Sequence, residues 1–241
     1  MLLTGNYQHF SFDLWLTLIR SNPNFKEKRA EFFHQRFNYK NLPLDDVKRI
    51  FRQVDVMCNL INEKTGKNID ADEMYLMVLS MINDGDSRVW SIDIQQLCTD
   101  MEMLLFEHLP MVYCDRTLDV LSRLKQETNA TIGILSNTGF IRGVTLRKVL
   151  NQIGIDRYID FQLYSDEAGM SKPNTQFFKM MLDQLSAHHT QIDLNRVIHI
   201  GDNAIADIGG ANAVGLQSCL INSNNIYLPD LLEHAPNVLA T

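Results

Sequence analysis

Four places in this chain put residues able to do anion chemistry where a turn should follow a strand. They are Asp13 in FDLWLTL, Ser136 and Asn137 in IGILSNTG, Lys172 in SKPN, and Asp202 with Asp207 in IGDNAIAD. Carboxylates, one ammonium, a hydroxyl and amide donors are the makings of a site for a phosphoryl group, because attack on one anion by another needs positive charge and fixed donors close by. Taken singly, each residue has an ordinary reading. A strand-end aspartate is most often a cap, Ser136-Asn137 could cap the helix behind it, a lysine before proline is a common surface residue, and GDN is a common turn. Asp207 could be a helix N-terminal charge favoured by the dipole.

The elements that must position these residues follow from periodicity. The run HFSFD at 9–13, with Phe10 and Phe12 on one side, predicts a strand carrying an acid at its C-terminal end. From about Pro23 to Pro110 every patterned segment has helical period. Val47, Ile50, Phe51, Val54, Cys58 and Ile61 form one apolar face; Met74, Met77, Val78, Met81 and Ile82, behind a possible N-cap at Asp70, form a second. Ile94, Leu97, Met101, Leu104 and Leu105 form a third. Beyond it the grammar changes to helix 117–127, strand 131–136, helix 141–153, strand 161–165, helix 174–185, strand 196–201, short helix 206–213 and strand 216–221. Such alternation implies a parallel sheet with right-handed crossovers, and the first strand should join it, since a lone strand before a helical bundle leaves backbone groups unpaired. The fold class is therefore α/β: a Rossmann-like parallel-sheet core, residues 1–20 and 113–241, with an inserted all-helical domain, residues 21–112. All four polar signals then lie at the carboxyl ends of strands, where open parallel sheets bind ligands.

In this order and on these elements the motifs resemble the four motifs of the haloacid dehalogenase-like hydrolases, over essentially the whole core, with the helical block in the place of that family's cap. The resemblance implies Asp13 as nucleophile and Lys172 as the second catalytic residue, bridging the nucleophile and the phosphoryl oxygens. Thr17, Ser136, the main-chain amide of Asn137, and Lys172 would contact the substrate. Magnesium would be held by the carboxylates of Asp13 and Asp202 and the main-chain carbonyl of Trp15, with Asp207 a ligand through water or an anchor for its neighbours. The activity implied is hydrolysis of a small phosphorylated metabolite through an aspartyl phosphate.

One position departs from the pattern. Phosphatases of the family usually carry a second aspartate two residues after the nucleophile, and this chain has Trp15 there. Indole offers no usable acid or base, so a proton transfer worth roughly 10²- to 10⁴-fold has no donor at that position. Three readings follow: a phosphatase acting on good leaving groups or with a substitute acid, a carbon-halogen hydrolase, or a ligand-binding protein with little turnover. Asp202 speaks against the second, because the dehalogenases of the family need no magnesium and lack this metal-binding aspartate. A cluster of like charges is costly to keep without a use, which speaks against the third.

Other residues read as structure. His199 on a buried strand reads as a satisfied core histidine, and His188-His189 as an exposed polar loop. Met74 to Met81 reads as a core face. Arg20, Asn22, Lys26, Lys28 and Arg29 follow the nucleophile strand and could touch a substrate, but solvated helix charges are the default reading. A net charge of -7 and a pI near 5.4 offer no footprint for nucleic acid or an anionic membrane. The cysteines, Cys58, Cys98, Cys114 and Cys219, stand singly, as in a reduced intracellular protein. No run of roughly 18 apolar residues occurs, so neither export nor membrane spanning is expected and the cytoplasm is the default. The partner predicted is a small phosphorylated molecule; oligomeric state is left open.

Overall fold

The run HFSF forms β1 (His9–Phe12), and all four residues are buried, so its backbone must be paired on both edges. The structure, a computed structural model that describes residues 6–233, meets this need by flanking β1 with strands far away in sequence. Between them come β2 (Ile19–Arg20), α1 (Pro23–Arg36), α2 (Leu44–Thr65), α3 (Ala71–Asn83), α4 (Ile94–Glu107), β3 (Met111–Val112) and α5 (Thr117–Glu127). One flanking strand is β4 (Thr131–Ser136), with Phe12 beside Ile134. After α6 (Gly143–Gln152), β5 (Phe161–Tyr164), α7 (Ser165–Ala168) and α8 (Thr175–Leu185), the other is β6 (Val197–Gly201), with Phe12 beside Ile200. A π-helical turn at Ala204–Gly209, α9 (Gly210–Ala213), β7 (Gln217–Leu220) and α10 (Asp230–Glu233) complete the order. The sheet is parallel throughout, in the order β5-β4-β1-β6-β7. The chain builds outward from β1 first on one side and then on the other. A crevice therefore opens at the carboxyl end of β1, where strand order reverses.

Helices cover both faces. Val120, Leu121 and Leu124 of α5 and Leu146 and Leu150 of α6 pack with Phe10 and Phe12. On the other face Phe177, Phe178 and Met181 of α8 pack with Leu135 and Val197. Predicted helix 117–127 and strand 131–136 coincide with the observed elements, whereas α6 starts at Gly143 rather than 141. The segment read as one helix over 206–213 is the π-turn followed by α9.

The helices between β2 and β3 enclose an apolar core of their own, with Phe33 edge-on to Phe51 at 4.8 Å between ring centroids. Met74 is buried there, and Met77 and Met81 pack against it, as their spacing predicted. Asp70 and Glu73 form a reciprocal capping box at the start of α3. Three features of the insert were not read from periodicity. First, α1 buries Phe25, Arg29, Ala30 and Phe33 on one stripe, so a cation interrupts its apolar pattern. Second, β2 pairs antiparallel with β3, Ile19 beside Val112, and this ribbon is too short to show any period. Third, Phe140, from the loop after β4, packs in the core of the insert, and its carbonyl accepts a 3.1 Å bond from the Tyr75 hydroxyl. No helix of the described residues is long and apolar enough to cross a membrane.

Candidate active site

Asp13 follows β1 directly, and its amide donates to Ile200 of β6, so the sheet itself sets its place. The residue is only 6% exposed. Oδ1 accepts 2.7 Å from Lys172 Nζ and lies 3.4 Å from the Ser136 hydroxyl at the end of β4; Oδ2 accepts 3.0 Å from the Thr17 hydroxyl. Thr17 is fully buried, so in this arrangement its hydroxyl orients the carboxylate.

Lys172 is 1% exposed and reaches Asp207 Oδ1 at 2.6 Å as well as Asp13. Its loop is held on two sides. The Asn137 side chain clamps the Lys172 main chain, Oδ1 accepting from its amide at 2.7 Å and Nδ2 donating to its carbonyl at 3.0 Å. From the helical insert, the Gly66 carbonyl, at the left-handed end of α2, accepts from the Ser171 amide at 3.1 Å, and Asn68 Oδ1 accepts from the Ser171 and Ser165 hydroxyls. The resemblance drew attention to the Asn137 amide; the clamp made by its side chain, signalled only by an Asn in that motif, was missed.

Asp207, 1% exposed, has both carboxylate oxygens engaged. Oδ1 takes Lys172 Nζ and His199 Nε2, the latter at 3.1 Å, and Oδ2 takes the Asn203 amide at 3.0 Å. A carboxylate can only accept, so His199 carries its proton on Nε2 and Nδ1 accepts from the Ser11 hydroxyl at 2.8 Å. His199 is indeed a satisfied core histidine, and it is satisfied by the site. Gly201 is what permits this closeness, because a Cβ there would lie inside the Asp207 carboxyl group. Gly201→Ala should therefore destabilise the fold by about 3 kcal/mol or more through overpacking and displace Lys172. Urea unfolding checks this, and a loss below about 1 kcal/mol would show that Asp207 has room to retreat.

Electrostatics give the cluster its character. Asp13, Asp202 and Asp207 each offer a carboxylate oxygen within 4.8 Å of the others. Burial, with Asp207 nearby, pushes the Asp13 carboxyl up to about 6 against the pull of Lys172. Burial and then the Asp13 and Asp207 charges push Asp202 up to about 7. Burial works against ionisation of Asp207 too, but Lys172 and His199 outweigh it and hold its carboxyl well below the usual range. Lys172 stays charged, since its two carboxylates more than offset its burial. One ammonium among three carboxylates leaves excess negative charge in a dry place, the condition in which a hard cation with oxygen ligands binds.

The cluster forms the floor of a cavity of about 610 Å³ between sheet and insert. Trp15, Asp202 and Lys172 border it from the core; Phe25, Arg29 and Leu60 border it from the helices. Lys26 and Arg52 lie on the helical wall as well, and Arg20 of β2 borders the cavity beside them. Arg29 is a correction to the sequence reading: it is 7% exposed and packed among aromatic rings, not solvated. Trp15 is half-buried and packs against the core beneath the sheet's edge.

The sequence model of the haloacid dehalogenase-like hydrolases matches residues 7–215. Pyrimidine 5'-nucleotidase YjjG of Escherichia coli is 38% identical over 103 residues, 42% of this chain and 42% of that protein. Matches to the first curated relatives span only 41% to 46% of their length. Among solved structures, the hydrolase YfnB of Bacillus subtilis, described bound to magnesium, has a TM-score of 0.66 at 22% identity, covering 91% of this chain and 90% of that one. A 2-haloacid dehalogenase of Pseudomonas syringae has a TM-score of 0.60 at 17% identity, covering 98% of this chain and 91% of that one. At such identities these two speak for the fold alone. With the family model spanning most of its length and the four motifs gathered at one sheet edge, the chain belongs to the haloacid dehalogenase-like hydrolases.

Proposed function

We propose that this hydrolase is a magnesium-dependent phosphatase acting on a small phosphorylated metabolite through an aspartyl phosphate on Asp13. The observation that carries this reading is Asp202, a carboxylate beside Asp13 and Asp207 that makes the cluster deficient in positive charge. The donor set is all hard oxygen and fits magnesium. Asp13, Asp202 and the Trp15 carbonyl would hold the ion; Asp207, with both oxygens engaged, suits a role through water. When bound, the ion would screen the nucleophile from the phosphoryl oxygens. Residues 21–112 act in this reading as the cap over a core of 1–20 and 113–241, of which residues 1–5 and 234–241 lie outside the described residues. The same reading places the protein in the cytoplasm, where its four free cysteines stay reduced.

The protein's own groups then divide the work. Thr17 and Lys172 hold the Asp13 carboxylate in one orientation, ready to bond to phosphorus as the ester oxygen departs. Lys172 and Ser136, both beside Asp13 Oδ1, meet the charge on the transferring group. Water then attacks phosphorus, releasing inorganic phosphate and restoring the carboxylate. The departing oxygen finds an indole at residue 15 and must leave without a proton from there.

A dehalogenase reading has that same Trp15 in its favour, together with the fold shared with the Pseudomonas syringae enzyme, because halide leaves unprotonated. Asp202 weighs against it. The deciding experiment measures phosphate release from aryl and alkyl phosphates, and halide release from 2-haloacids, with and without magnesium. Aryl phosphates should exceed alkyl phosphates by roughly 10²-fold or more, only with the metal. Trp15→Asp, which keeps the main-chain carbonyl, should raise alkyl ester hydrolysis selectively by about tenfold to a hundredfold. Halide release without metal overturns the reading, and an unchanged aryl-to-alkyl ratio in a folded Trp15→Asp protein shows that another group already supplies the proton.

A further inference from the structure

The side chain that the proposed chemistry leaves unexplained is Arg29. Its guanidinium carbon lies 4.3 Å from the centroid of Phe51 and 4.4 Å from that of Phe140, two rings tilted against each other with centroids 5.5 Å apart, and Phe25 stands at 5.3 Å. These rings offer the cation their π-faces and hold it in place. They supply no hydrogen-bond acceptor, and Nε is buried without a hydrogen-bond partner. Among the described residues no carboxylate lies within ion-pair distance of it; Asp55, in the same cavity wall, is already paired with Arg52 at 3.3 Å. Its polar neighbour Tyr75 is neutral: the hydroxyl oxygen faces the guanidinium as an acceptor, and the hydroxyl proton goes to the Phe140 carbonyl. A cation removed from water whose nearest carboxylate charge, Asp55, acts only from beyond ion-pair distance is costly. The cost is intelligible if a ligand brings the missing anion.

Arg29 borders the same cavity as Asp13 and Lys172, on the wall contributed by the insert. That wall carries Lys26 and Arg52 besides, against Asp55 and Glu63, and Arg20 of β2 borders the cavity from the core side. A phosphoryl group held at Asp13 would point its leaving group toward these cations. We propose that Arg29 is a specificity-determining residue that binds a second anionic group, a carboxylate or another phosphate, on the leaving-group side of a small phosphomonoester. The inference rests on the phosphatase reading for the first anion, and the substrate class becomes that of doubly anionic phosphorylated metabolites. The chemistry agrees: the surrounding rings take up none of its hydrogen-bonding capacity, and the N–H groups of a guanidinium are what pair with carboxylate or phosphate oxygens.

The test is calorimetric binding to Asp13→Asn protein, which needs no turnover. One pair of probes is 3-phosphoglycerate and glycerol 3-phosphate, which differ by a carboxylate; the other is propane-1,3-diyl bisphosphate and propyl phosphate, which differ by a phosphate. At least one doubly anionic probe should bind about tenfold or more tightly than its partner with the phosphate alone, and the pair that shows it identifies the second anion. Adding Arg29→Met should collapse that ratio to below about threefold. Arg29→Lys keeps the charge without the planar fork, so it should give an intermediate ratio, and it stands in if the methionine variant does not fold. Ratios near one for both pairs in the parent protein, or a ratio indifferent to Arg29, overturn the proposal. Preferential binding of a doubly anionic probe by a protein whose wild type releases no phosphate from any ester would keep the anion site and sink the phosphatase reading instead.

Discussion

Asp13→Asn should leave less than about 1% of the wild-type hydrolysis rate while keeping the fold, because the amide cannot form the proposed acyl phosphate. The substitution does not strand a buried cation, since Lys172 keeps its 2.6 Å pair with Asp207. It should in fact stabilise the protein when metal is removed. The Asp13 carboxyl is pushed from an ordinary 3.8 up to about 6 by burial and the Asp207 charge. Between those values the native state binds more protons than the unfolded chain, so stability falls as pH rises through the window, and the deficit is complete above it. Asp202, pushed up to about 7, continues the same slope toward neutrality. In chelator, then, wild type should lose stability from about pH 4 to about pH 8, and Asp13→Asn should recover on the order of 2 kcal/mol at the higher pH and little at the lower. Urea unfolding at both pH values measures this. Residual hydrolysis well above 1%, or a mutant destabilised at pH 8, would mean that Asp13 is neither the nucleophile nor under electrostatic strain.

Lys172→Met should be the most damaging single change to fold and chemistry together. The ammonium is 1% exposed and joins two carboxylates at 2.7 and 2.6 Å. Without it Asp13 and Asp207 face each other with no charge between them, and breaking such a buried pair from one side costs about 3–5 kcal/mol. Activity should fall by roughly 10³-fold or more, since the nucleophile loses its orientation and the transferring group its nearest cation. The loss of stability should be larger at about pH 8 than at about pH 5, because at the lower pH Asp13 takes up a proton and the repulsion lapses. Combining Lys172→Met with Asp13→Asn should therefore cost less than Lys172→Met alone, a coupling that a double-mutant cycle reads directly. Additive effects would show that the two side chains do not act as one unit.

Periodicity carried the architecture a long way. Strand 131–136 and helix 117–127 were legible to the residue because their apolar patterns are clean and their ends are marked by polar breaks. The candidate site residues Asp13, Ser136, Lys172, Asp202 and Asp207 could be expected together because the sheet is parallel, and parallel strands in a doubly wound order deliver their ends to one crevice. Their number and order along the chain was the signal; no local pattern distinguishes any one of them from a cap or a turn.

What the sequence by itself determined was therefore the order of elements, the class of sheet and the set of acids and the lysine at its edge, for these depend on local hydrophobic period and on a chain that must pair β1 somewhere. Only the tertiary structure decided who pairs with whom. Asn137 clamps Lys172 across 35 residues and His199 of β6 holds Asp207, contacts between residues whose spacing in sequence carries no period. The same holds for Phe140, which leaves one apolar core to fill another, and for Arg29, which its charge assigned to solvent. Burial of Arg29 required three aromatic rings from α1, α2 and the loop after β4 to meet around it. Such a meeting is set by how helices rotate and pack against one another, and helix rotation relative to a distant partner is a property of the packed molecule rather than of any stretch of chain.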